Sequence, residues 1–255
     1  MPTPANFDKF IDVIKKGSTQ DALHFLGENK VYQELETKDA QHATNPFQWA
    51  CANKNLEIVQ WLADANPAFL NPALRNARNY NALDLAITLG TYEIARWLVW
   101  RNPKFLDPKI KNDRGFNAFD MSLLNGNLIA AEWLEKQNPD FTSDIFFNPN
   151  IRNKIGENIF DVAVANGKLE SAKWIIKKKP IFLNPNIRNS KGQNALDIAI
   201  SNKKLEMVKW LTTANPEYTK TPPQPNAIPK TVNFSRLEKA VDKGMKFKKA
   251  KPKVN

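Results

Sequence analysis

The 255-residue chain has one cysteine, two histidines and nine glycines, and no unbroken apolar run approaches twenty residues. A single cysteine excludes a disulfide framework, and two histidines beside it exclude a Cys/His zinc cluster. The missing apolar run excludes a membrane-spanning helix. The start, MPTPANFDKFIDVIKKG, has no apolar stretch after a basic beginning, so no secretory signal is expected. These absences together predict a reducing, intracellular setting: the cytoplasm, with the nucleus or a host-cell cytosol as variants of it. Gly-rich phosphate loops, HExxH and GxSxG are also missing. No enzyme activity, catalytic residue, metal or cofactor is therefore expected.

What is present is an ordered composition, 42% hydrophobic and 25% charged, with a net charge of +11. The charge is uneven. Residues 220–255 hold ten Lys/Arg against two acids, whereas the preceding 219 residues hold 27 cations and 24 acids. Asparagine is abundant, at 30 residues, and much of it recurs at fixed spacing.

That spacing defines the architecture. Trp61, Trp97, Trp133, Trp174 and Trp210 are separated by 36, 36, 41 and 36 residues. Asn81, Asn117, Asn158 and Asn194 share the 36, 41, 36 pattern, as do Asp84, Asp120, Asp161 and Asp197. Asn-Pro pairs mark the ends of units at Asn66, Asn102, Asn138 and Asn215. One unit is longer by five residues, best placed at TSDIF, 142–146.

Each unit reads as two helices and a loop. The first helix opens with Asn as N-cap and Asp or Gln three residues on, the arrangement of a capping box, and Pro46 suits the first helical position of the earliest unit. It closes near Gly90, Gly126 or Gly167. The second helix (LEIVQWL, YEIARWLVW, LESAKWII, LEMVKWL) carries Trp on an apolar stripe, with Glu57, Glu93, Glu170 and Glu206 in its first turn. It must stop before proline, and the Asn-, Pro- and Gly-rich stretch that follows reads as loop and turn. Residues 1–44 read as a degenerate helix pair that caps the array, with Ser18 and Asp21 as a capping box. Five repeats span 45–219. Residues 220–255 read as a proline-rich linker, a capping helix and a basic tail.

The segments SKGQNALDIAISNKKLEMVKWL and ARNYNALDLAITLGTYEIARWLV resemble the ankyrin-repeat consensus, D-x-x-G-x-T-P-L-H-x-A-A-x-x-G-H-L-E-V-V-K-L-L-L. The resemblance is strong over 45–216 and weak on the flanks. It maps Gly192 to the turn glycine, Asn194 to the capping threonine and Asp197 to the family's histidine. It implies an all-α solenoid of stacked helix–turn–helix units with hairpin-like loops. Two departures stand out. The histidine column is Asp or Gln here, so those polar groups need other donors, and the repeat is 36 residues where about 33 is usual.

The Trp column is expected to be inter-repeat core, so that Trp133→Ala should cost about 3–5 kcal/mol. Cys51 falls on an apolar column and reads as core. The loops are more suggestive of function. Arg75, Lys111, Arg152 and Arg188 share one register, and Arg78, Arg114 and Lys191 a second, which Ile155 interrupts. Guanidinium rows suit carboxylate or phosphate groups. Reversing Arg152 and Arg188 to Glu is expected to weaken association more than it weakens the fold.

The resemblance implies a protein-binding scaffold whose partner lies on the concave face and the loop tips, with Asn53, Leu89, Asn125, Asn166 and Asn202 as the variable positions of that face. The expected partner is a protein with an acidic or polar surface, bound by a monomeric chain. A bacterial or viral protein acting on host proteins would fit the Asn-, Lys- and Ile-rich composition. The alternative is nucleic-acid or anionic-membrane binding through the tail MKFKKAKPKVN.

Overall fold

A computed structural model describes residues 4–16, 18–34, 38, 41 and 43–221. The expected linker, capping helix and basic tail after residue 221, and His42, lie outside the described residues. All the regular elements described are helical, and the chain divides into two compact units, Met1–Ser122 and Leu123–Asn255.

In the first unit, α1 (Pro4–Lys16) and α2 (Thr19–Glu28) form a pair. Two further pairs follow, α3 (Pro46–Ala52) with α4 (Leu56–Ala65) and α5 (Ala82–Thr88) with α6 (Tyr92–Arg101). The boundary between the units falls inside α7 (Ala118–Asn125). The second unit continues with α8 (Leu128–Gln137). It then pairs α9 (Ile159–Ala165) with α10 (Leu169–Lys178), and α11 (Ala195–Ser201) with α12 (Leu205–Ala214).

The helices start where the sequence places their caps. Ser18 and Asp21 form a capping box on α2, and Asn45 with Gln48 forms one on α3 behind Pro46. Asn81/Asp84, Asn158/Asp161 and Asn194/Asp197 do the same for α5, α9 and α11. In α7 the Asp120 N–H donates to Asn117 Oδ1 at 2.9 Å and the Asn117 N–H returns a bond to Asp120 Oδ2 at 3.0 Å. The turn after each first helix enters the left-handed region at Gly90, Gly126 and Gly167, and at Lys54 and Lys203 where no glycine is present.

The Asn-Pro segments depart from the loop reading. Proline ends the second helix but opens a 3-10 turn at once: Pro67–Leu70, Pro103–Leu106, Pro139–Thr142 and Pro180–Leu183. Its fixed φ and missing N–H suit the first position of a new helical turn as well as they forbid the continuation of the old one. These turns carry a fully buried aromatic column, Phe69, Phe105, Phe141, Phe182 and, in the short helix Glu217–Lys220, Tyr218.

Three of the asparagines before a proline, Asn66, Asn102 and Asn215, each serve two backbones. The Oδ1 accepts an N–H of the helical turn that follows, at 3.1 Å in Asn66 and Asn102 and 3.0 Å in Asn215. The Nδ2 donates to a carbonyl of the previous repeat. Asn66 reaches Gln33 at 2.8 Å, Asn102 reaches Leu70 at 2.8 Å, and Asn215 reaches Leu183 at 3.0 Å. A hydroxyl cap cannot bridge in this way with separate donor and acceptor atoms.

The core differs from expectation at tryptophan. Trp174 is 7% exposed, but Trp61, Trp97, Trp133 and Trp210 are half-buried. The residue after each Trp, Leu62, Leu98, Leu134, Ile175 and Leu211, is fully buried, as are Val59, Ala95, Ala131, Ala172 and Val208. Tryptophan thus sits on the shoulder of the apolar stripe, and its indole is too wide for the repeat interface to cover. Cys51 is fully buried, and burial pushes its thiol up, away from a reactive thiolate.

The order of core energetics follows. Leu134→Ala is expected to cost about 2–5 kcal/mol, and Trp133→Ala about 1–2 kcal/mol, less than full burial of the ring would have given. Urea unfolding of the two variants checks this; a larger loss at Trp133 would place the core on the other face of α8.

Candidate protein-interaction site

The first helices α5, α9 and α11 each begin at a buried carboxylate that must be reconciled with an apolar surrounding. The chain supplies a guanidinium nine residues earlier. Arg75 Nη1 lies 2.7 Å from Asp84 Oδ2, Arg152 Nη1 lies 3.0 Å from Asp161 Oδ2, and Arg188 Nη1 lies 3.2 Å from Asp197 Oδ2. The carboxylate side chains are 2–4% exposed and the arginines 13–27%. The same Nη1 atoms donate to a hairpin carbonyl, Asn79 O at 3.0 Å and Gly192 O at 2.9 Å, so each arginine also pins its own loop. Arg152 reaches further, from Nη2 to Arg188 O of the next repeat at 2.9 Å. These arginines are the donors that the altered polar column required.

The first register of cations is therefore split. Arg75, Arg152 and Arg188 are committed to buried partners, whereas Lys111 is exposed and makes no ion pair with Asp120 among the described residues. Reversing Arg152 and Arg188 to Glu would set new carboxylates against Asp161 and Asp197, so it would damage the fold first. That corrects the expectation of a mild structural effect.

The second register stands outside. Arg78, Arg114 and Lys191 are exposed and make no ion pair among the described residues. Their backbones are fixed: the N–H of each donates to Asn76, Asn112 or Asn189 Oδ1 at 3.0, 3.0 and 2.9 Å. Ile155, at the fourth equivalent position, is held by Asn153 in the same way at 3.0 Å and is 60% exposed. In the second unit two tips are knitted together, with the Ser190 N–H donating to Gly156 O at 3.2 Å and Ser190 Oγ donating to Ile155 O at 2.9 Å. A Cβ on Gly156 would lie 2.3 Å from Ser190 Oγ, so no larger residue fits there.

The five candidate face positions differ in use. Asn53, Asn166 and Asn202 turn their Nδ2 back onto the carbonyl four residues earlier, at 2.9, 3.0 and 2.9 Å, and so cap their own helices. Asn125 accepts at its carbonyl from Lys168 Nζ at 3.4 Å. Leu89 is 43% exposed. Among the described residues no His/Cys/Asp/Glu cluster has a metal-binding arrangement, and no helix is long and apolar enough to cross a membrane.

Comparison with known families settles what these units are. Models of ankyrin repeats match twice, "Ankyrin repeats (3 copies)" over residues 11–112 and "Ankyrin repeats (many copies)" over 159–212. The chain belongs to the ankyrin-repeat family. Its fold is the all-α ankyrin-repeat solenoid of stacked helix–turn–helix units. Among solved structures it is similar to a chain in the complex of the predatory endopeptidase Bd0816 from Bdellovibrio bacteriovorus with immunity protein Bd3460. The identity is 24% and the TM-score 0.57, over 80% of this chain and 96% of that one. This likeness supports the fold. No curated protein matches the chain at a significant level.

Within this ankyrin array, the repeat with lysine differs in that its aspartate, Asp120, has no guanidinium partner among the described residues. Burial raises Asp120 to about 6, against the opposing effects of the Asn117 N–H and the Lys111 charge. Burial likewise raises Asp161 to about 6 and moves Asp84 and Asp197 upward. A carboxylate whose folded pKa is raised binds its proton more tightly in the folded state. Its contribution to stability is therefore greatest at low pH and falls as pH rises from about 4 to 6. Lys111→Arg should give Asp120 the guanidinium its counterparts have. The expected result is a gain of about 1 kcal/mol at pH 7 and little change at pH 4, measured by urea unfolding at both values. An equal effect at both pH values would rule out this pairing.

Proposed function

We propose that the protein is a non-catalytic scaffold that binds a protein partner with an acidic or polar surface through its exposed loop tips and the adjoining first-helix face. Ankyrin repeats generally mediate protein–protein interaction. The observation that supports this reading here is the division of labour among the loop cations. One set is spent on buried aspartates, while Arg78, Lys111, Arg114 and Lys191 stay in solvent. At Arg78, Arg114 and Lys191 the backbone is already fixed by an asparagine two residues before. Pre-ordered tips lower the entropic cost of docking, and unpaired cations steer an acidic partner.

Exposed ion pairs contribute only about 0–1 kcal/mol each, so single substitutions should have small effects. The test is affinity capture from cell lysate at low and high salt. Arg78→Glu/Arg114→Glu/Lys191→Glu is compared with the parent chain and with a chain lacking 246–255. The expected outcome is salt-sensitive capture of a protein, lost with the tip triple variant and kept by the truncated chain. Capture that ignores the tips and disappears with the truncation would transfer the function to the basic tail and to an anionic ligand such as nucleic acid or membrane.

A further inference from the structure

The five-residue insertion coincides with two other breaks in the repeat pattern. Where other repeats place Asn66, Asn102, Asn138 and Asn215, the repeat after the insertion has Lys179. Where they place Ala68, Lys104, Asp140 and Glu217, it has Ile181. The structure brings all three breaks together in the second unit. Lys179 pairs with Asp144 of the insertion. Phe147, just past the insertion, is 1% exposed, with its ring 5.3 Å from Phe182 and 6.2 Å, edge-on, from Trp174. These two contacts run the inserted segment alongside the 3-10 turn Pro180–Leu183 and bracket Ile145 and Ile181. Phe147 turns inward, but Ile145 and Ile181 remain 71% and 58% exposed.

The charged groups of the flanking segments are mostly paired. Lys178 Nζ lies 2.7 Å from Glu135 Oε2 and 5.2 Å from the Trp174 ring centroid. Glu135 also accepts a bond from Thr142 Oγ1 at 3.1 Å. Lys177 is exposed and makes no ion pair among the described residues. Two exposed isoleucines on adjoining segments, with Lys178 and Lys179 paired and Lys177 left as a spare positive charge four residues before Ile181, combine the apolar and charged groups from which binding hot spots are built. Its size argues against a second copy of the chain. Two isoleucines expose on the order of 200 Å², against about 800 Å² per partner in a stable interface.

We propose that Ile145 and Ile181 form a docking site for a short linear peptide segment that presents two apolar side chains beside an Asp or Glu, the carboxylate meeting Lys177. The site is separate from the loop tips. It shares with the function proposed above only the premise that the ligand is a protein.

The test uses a phage-displayed library of random 12-residue peptides. Selection is on the wild-type chain, with counter-selection on Ile145→Ser/Ile181→Ser, and enriched peptides are synthesised and measured by fluorescence anisotropy. Enriched sequences should share two apolar residues and an acid. Their affinity should fall at least tenfold in the double variant and about threefold or more in Lys177→Glu. The tip variant Arg78→Glu/Arg114→Glu/Lys191→Glu should bind them unchanged, which separates this site from the other. Both isoleucines are exposed, so the thermal melt of the double variant should match wild type. Three results would overturn the proposal. One is that no selected peptide distinguishes wild type from the double variant. Another is a basic consensus. The third is a wild-type chain that sediments as a dimer while the double variant sediments as a monomer.

Discussion

A carboxylate placed where water is nearly absent governs the loop side of this fold. Asp84, Asp161 and Asp197 start their helices by accepting the N–H of the capping asparagine, and none could stay charged there without a cation. The arginine that answers each one comes from the loop before it and also grips a carbonyl near that loop's tip. One ion pair thereby sets the helix start, the path of the hairpin and the side chains left over for a partner. Gln48 shows the neutral form of the same position, donating to Leu74 and Tyr80 carbonyls at 3.3 and 3.4 Å in the loop that follows.

Asparagine supplies the second layer of order. The cap asparagines use Oδ1 for the helix and Nδ2 for a proline carbonyl nine residues back, from Asn81 to Pro72 at 2.9 Å and from Asn194 to Pro185 at 3.2 Å. Asn66, Asn102 and Asn215 join a repeat to its predecessor, and Asn76, Asn112, Asn153 and Asn189 organise the tips. A side chain with an acceptor and a donor on one planar group suits all three jobs. This accounts for an asparagine content that composition alone only hinted at.

The 36-residue period, the helix pairs and the caps could be read from the residues because capping chemistry is local. The buried aromatic turns were less legible, since proline was read only as the end of a helix. Phe69, Phe105, Phe141, Phe182 and Tyr218 nevertheless carry the same 36, 36, 41, 36 spacing as tryptophan. Tryptophan was over-read as core because periodicity gives a face and not the depth to which a large ring is covered. The loop arginines were visible as a register, but their burial was not. The signal was the constant nine-residue offset to the aspartate, which in one repeat joins Lys111 to Asp120 instead. The extra five residues could be counted from the period, yet which apolar side chain beside them turned inward depended on contacts of Phe147 with Trp174 and Phe182, 27 and 35 residues away.

The central claim is that the first register of arginines belongs to the fold, which leaves the second register for partners. A double-mutant cycle on Arg75 and Asp84, the most deeply buried pair, tests it most directly, using urea unfolding of Arg75→Ala, Asp84→Asn and the double variant at neutral pH. A coupling energy of about 1–3 kcal/mol is the predicted result. A coupling within about 0.3 kcal/mol of zero would show that Arg75 gives the fold nothing through Asp84, and would return it to the pool of cations free to meet a partner.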